Sequence, residues 1–108
     1  MCINTACFSV ELARTPEEQH LGLMNRSSMP EISGMIFIFP KPDTYDFWMK
    51  NTLLPLDMVW IDSTKKVVRI LTADPCTADP CPIYRPERLA NYVLEINAGL
   101  AKKYNISE

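Results

Sequence analysis

The stretch FWMKNTLLPLDMVWID, Phe47 to Asp62, is mostly large and apolar, yet it carries Lys50, Asn51, Thr52 and Asp57. Strand alternation divides it. From Asp46 to Lys50, Phe47 and Met49 share one face, and Asp46, Trp48 and Lys50 share the other. The Lys50 ammonium can then rest near the Trp48 indole. Asn51-Thr52 opens a turn and Pro55 ends it. From Leu56 to Ile61, Leu56, Met58 and Trp60 face one way while Asp57, Val59 and Ile61 face the other. Asp57 is therefore expected to be at least partly buried. A buried carboxylate needs a cation or several donors, and Lys50 or the amides of the 51–54 turn are the near candidates.

The flanking sequence builds the same kind of element. Residues 7 to 13 alternate as a half-buried strand. Gly34-Met35-Ile36-Phe37-Ile38-Phe39 is a continuous apolar run ending at Pro40, suited to a strand buried on both faces. Residues 65–71 and 92–96 give two more strands. Thr15-Pro16-Glu17-Glu18 reads as a capping box opening a helix that runs to about residues 24–26. Asn97 is placed to cap a second short helix through Tyr104. With two short helices and no βαβ rhythm, the expectation is a mainly β domain, bordering on α+β: an antiparallel sandwich or barrel-like sheet with peripheral helices.

The chain of 108 residues fits one domain, 1–108. It is 47% apolar and 22% charged, ordinary values for a globular protein. Its net charge of −2 disfavours a nucleic-acid binder, which needs a basic face. No run of about 18 apolar residues exists to span a membrane. No signal peptide is visible after Met1.

Four cysteines form two pairs with one spacing, Cys2 with Cys7 and Cys76 with Cys81. Two local disulfides are the expected arrangement; free thiols and a four-thiolate zinc site are the alternatives. Residues 73–86 repeat Ala-Asp-Pro-Cys and are rich in proline, so they read as an extended segment that a disulfide would fix.

The candidate pocket comprises Trp48, Lys50, Asn51, Thr52 and Asp57, with Glu95 adjoining. It suits an anionic or sugar-like ligand: Lys50 and Asn51 supply donors, Asp57 orients Lys50, and Trp48 offers a stacking face. The competing reading is structural, with Asp57 capping the turn and Lys50 reaching out of the core edge. Glu95 lies in an apolar strand and can pair with Arg26, Arg88 or Lys50. His20 is the only histidine, so no Ser–His or Cys–His nucleophile can be built without it; its helix position points to water. The methionines fall in apolar patterns and read as core rather than metal ligands. No metal or cofactor is expected.

In order along the chain come Phe8-x-Val10-Glu11-x-Ala13, Gly22-Leu23-Met24-x-Arg26, Gly34-Met35-Ile36-Phe37, then Phe47-Trp48-Met49-Lys50-Asn51-Thr52-x-x-Pro55-Leu56-Asp57, then Leu94-Glu95-Ile96-Asn97-Ala98-Gly99. Together these resemble the prokaryotic "domain of unknown function 192" family. The resemblance implies a compact, mainly β domain, often carried behind a signal peptide or lipoprotein leader, and it implies no activity. It also implies a Gly-Asp turn and a closing strand after the last helix, which the sequence through Ile106-Ser107-Glu108 lacks. On this basis the chain is expected to be an extracytoplasmic module binding a small ligand or a protein partner. The alternative is an enzyme acting on an envelope carbohydrate or other small substrate, with Asp57 or Glu95 as acid or base beside Lys50.

Overall fold

Strand β6, Leu56–Ile61, is buried along its whole length, and its alternation organises the molecule. The computed structural model describes residues 1–108. Before β6 come β1 (Cys2–Ile3), β2 (Ala6–Cys7), β3 (Ser9–Ala13), helix α1 (Pro16–Leu21), β4 (Ser33–Asp43) and β5 (Phe47–Trp48). After it come β7 (Val67–Ala73), β8 (Ile83–Tyr84), β9 (Ala90–Asn97) and helix α2 (Leu100–Lys103). A five-stranded sheet has the order β3-β4-β9-β6-β7, and β1-β2 and β5-β8 are separate two-stranded ribbons.

The sheet is covered on both faces. Leu56, Met58 and Trp60 join Met35, Phe37, Met49 and Val93 in one apolar cluster. Val59 and Ile61 join Ile36, Leu94, Ile96 and Phe8 in the other. This is the division that alternation along residues 56–61 predicts. Each large side chain so buried contributes roughly 1.5–3 kcal/mol. Phe47, Tyr84 and Leu23 cover the first face. The second is covered by Ile3 and Ala6 from the N-terminal ribbon, with Leu100, Ala101 and Ile106.

The mainly β architecture with two short helices matches the sequence reading. One connection does not: β3 and β4 are parallel, with α1 between them, so the chain contains one βαβ crossover. Its rhythm is hidden because α1 has only six residues and an irregular segment follows it. The remaining pairings in the sheet are antiparallel. Strand β4 also runs past Pro40 to Asp43 rather than stopping there. Its pairing with β9 is irregular between Ile38 and Asp43, where a missing proline N–H is tolerated.

The α1 capping box forms as expected. Glu18 N–H donates to Thr15 Oγ1 at 3.1 Å, and Thr15 N–H donates to Glu18 Oε1 at 3.0 Å. The helix ends earlier than residues 24–26. Gly22, at φ 47°, receives the chain there and its N–H donates to the Glu18 carbonyl. This early turn drops Leu23 into the core and leaves Leu21 exposed.

The cysteine sulfurs lie at disulfide distance, 2.08 Å for Cys2–Cys7 and 2.09 Å for Cys76–Cys81, and none is free. The first pair clasps β1 to β2. The second closes the proline-rich segment, and the Cys76 backbone bridges to both Lys50 and Thr52. No helix is long and apolar enough to cross a membrane.

Candidate functional site

The residues expected to form one pocket lie in three places. Trp48, Thr52 and Glu95 line a cleft on the first face of the sheet. Lys50 and Asn51 lie outside it, and Asp57 projects from the opposite face.

Asp57 is buried, but its partners are neither Lys50 nor the 51–54 turn. Oδ1 accepts from Thr72 Oγ1 at 2.7 Å, and Oδ2 accepts from the Gly99 and Ala101 amides at 3.0 Å each. Those amides begin α2, whose cap residue Gly99 has no side chain to serve them. A carboxylate there satisfies orphan donors and faces the positive end of the helix. Asn97, expected to cap this helix, donates to the Met29 carbonyl at 2.9 Å instead. The role of Asp57 is thus to anchor α2 to the sheet.

Lys50 pairs with Asp79, its Nζ lying 2.9 and 2.8 Å from the two carboxylate oxygens. It lies 5.7 Å from the Trp48 ring centroid, the proximity that alternation predicts. Asn51 is exposed at φ 59°, a left-handed turn position that asparagine tolerates. Its N–H donates to the Cys76 carbonyl and its carbonyl accepts from Asn25 N–H. Both residues therefore hold the turn against neighbouring loops.

Glu95 is the buried carboxyl of the cleft, 4% exposed. It sits on β9, in register with Met35 of β4 and Met58 of β6. None of its expected cations reaches it: Arg26 is bound to Glu11, Arg88 donates to the Glu87 carbonyl, and Lys50 is held by Asp79. Its carboxyl has no protein partner, and burial alone pushes it up to about 8 from an ordinary 4.5. With no hydrogen bond to the anion, the neutral acid is favoured. A neutral carboxyl both donates and accepts.

The cleft has a volume of about 390 Å³. Phe37, Phe39, Tyr45 and Phe47 form aromatic lining. Phe39 stacks on Tyr45 at 3.6 Å between centroids, and Phe47 meets Phe37 edge-on at 4.8 Å. Leu21, Trp48 and Ile83 are exposed apolar side chains in the same lining. Its other carboxylate, Asp46, is exposed and lies 3.4 Å from Arg85 Nε. Thr52 is a buried member of the same lining. His20, expected to face water, is exposed and also lines the cleft.

The aromatic wall was missed in the sequence reading. Phe37 and Phe39 alternate onto one face, a signal visible in the sequence, but their meeting with Tyr45 and Phe47 depends on how residues 44–46 turn the chain back after β4. A larger hollow of about 610 Å³ lies on the second face, bordered by Leu12, Ile38 and Tyr92. It contains no buried ionisable side chain, which makes the Glu95 cleft the chemically distinctive one.

The family model of domain of unknown function 192, described as "Uncharacterized ACR", matches residues 1–108. A "UPF0127 protein" of Thermococcus gammatolerans is 33% identical over 101 residues, covering 92% of this chain; the chain spans 61% of that protein's length. A crystal structure from Sinorhizobium meliloti described as "a putative transcription regulator" is 39% identical, with TM-score 0.86 over 93% of this chain and 76% of that one. A crystal structure of a protein of unknown function from Novosphingobium aromaticivorans is also 39% identical, with TM-score 0.84 over 93% of this chain and 70% of that one. The chain belongs to the domain of unknown function 192 family.

Proposed function

We propose that the protein is a small extracytoplasmic binding module whose cleft takes a small ligand against Glu95. One observation carries the reading: the Glu95 carboxyl is buried in the lining of an open, largely apolar cleft and has no partner of its own. Burying a polar group without a hydrogen bond costs free energy. A ligand that pairs with it recovers that cost. An apolar hollow with a few convergent polar groups is also the usual form of a small-molecule site. Trp48 and Thr52, from the WMKNT–PLD stretch, are in the lining of this cleft. The two disulfides support an oxidising compartment outside the cytoplasm. The description of the Sinorhizobium structure is that protein's own; a net charge of −2 gives this chain little to offer a phosphate backbone.

The enzymatic alternative keeps one supporting observation. A carboxyl near 8 can exchange its proton close to neutral pH. The partners expected for such chemistry, Lys50 and Asp57, are engaged elsewhere, so binding is the better-supported reading.

Fragment screening by NMR on the wild type and Glu95→Gln tests the proposal. Binders should shift resonances of Phe37, Trp48 and Thr52, and Glu95→Gln should weaken at least the polar ones. Binders that all map to the second-face hollow, and ignore Glu95→Gln, would sink it.

A further inference from the structure

Resting on that reading of the cleft, we infer that its ligand is a small molecule bearing a basic amine, whose ammonium pairs with Glu95 against the aromatic wall. No lysine or arginine lines the cleft, and the cations expected to pair with its carboxyls have partners. Arg26 is bound to Glu11, Lys50 to Asp79, and Arg85 lies against Asp46. A lysine- or arginine-like cation that meets Glu95 therefore comes from outside. Phe37, Phe39, Tyr45, Phe47 and Trp48 line the same cleft, and an ammonium over the face of such a ring is attracted to it. An anionic ligand, which the sequence suggested beside a sugar-like one, would find no lysine or arginine in the lining.

The volume of about 390 Å³ suits a compact amine of one ring or a short chain. The proton balance is simple. The Glu95 carboxyl is protonated in the empty cleft at neutral pH, since it titrates at about 8. When the ammonium enters, Glu95 ionises and releases one proton to solvent, and the amine keeps its own. The other titratable groups of the cleft are His20, Tyr45 and Asp46. The strand neighbours in register, Met35 and Met58, do not titrate.

The test uses three probes of one shape: benzylamine, benzyl alcohol and benzoate. Calorimetry in buffers of different ionisation enthalpy, with NMR mapping of the contacts, reads affinity, proton release and place. Benzylamine should bind in the cleft at least tenfold tighter than benzyl alcohol, with close to one proton released at pH 7. Its affinity should rise by roughly tenfold per pH unit from 6 towards 8. Glu95→Gln should abolish both the preference and the proton release. Glu108→Gln, which removes an exposed carboxylate outside the cleft, should leave both intact. The wild-type proton release keeps the test sharp even if Glu95→Gln folds poorly. If benzyl alcohol or benzoate binds the cleft as well as benzylamine, or no proton is released, the amine inference falls and the binding cleft stands. If no probe of any charge shifts cleft resonances, both fall together.

Discussion

Asp57 and Glu95 occupy adjacent strands one register step apart, Glu95 opposite Met58 and Asp57 opposite Ile96. They point to opposite faces and have opposite circumstances. Asp57 accepts three hydrogen bonds and ties the start of α2 to β6. Asp57→Ala leaves the Gly99 and Ala101 amides without acceptors, and urea unfolding should show a loss of about 3 kcal/mol. Glu95 accepts none, and its folded-state value of about 8 lies above its ordinary 4.5. The native state then holds a proton that the unfolded chain releases between those values. Stability should therefore fall as pH rises from about 4.5 towards 8, by at most ~1.4 kcal/mol per unit, and level off above. Glu95→Gln should flatten that slope in denaturation curves taken across the range. The sequence showed that both carboxyls sit in apolar strands. It did not show their partners: the Asp57 amide donors lie 42 and 44 residues away, and the Glu95 carboxyl makes no hydrogen bond within the chain.

At the scale of elements, signals confined to a few residues were readable. The 56–61 alternation and the Thr15–Glu18 capping box both describe the structure. Signals that depend on a return of the chain were not: the parallel β3–β4 pairing and the passage of β4 through Pro40 are decided by neighbours rather than by local pattern. The proline-rich segment lies between these cases. Its two cysteines announced a closure, but not that Cys76 would bridge the backbone of Lys50 and Thr52. A six-residue loop closed by one disulfide contributes about 2 kcal/mol in the chain-entropy account. Cys76→Ser combined with Cys81→Ser should lower the urea stability by that order and shift the amide resonances of Lys50, Asn51 and Thr52. The equivalent pair of changes at Cys2 and Cys7 should leave those resonances in place.

For the molecule as a whole, the central strands serve two cores at once. Strand β9 gives Val93 to the cluster around Trp60, and Leu94 and Ile96 to the cluster beneath α2. Leu94→Ala should cost roughly 2–5 kcal/mol. Because both clusters share the same backbone, the near-ultraviolet signal of Trp60 on the far face should be lost together with the far-ultraviolet signal. Separate transitions would mean that the faces melt independently. The clasp at Cys76 and Cys81 has one more effect on the whole chain. Residues 77–80 are exposed and lie inside its loop, the kind of tip that proteases favour. A cut there separates the peptide into two pieces without releasing either, since the sulfur bridge spans the break. A nicked molecule would run as one species on a non-reducing gel and as two only after reduction.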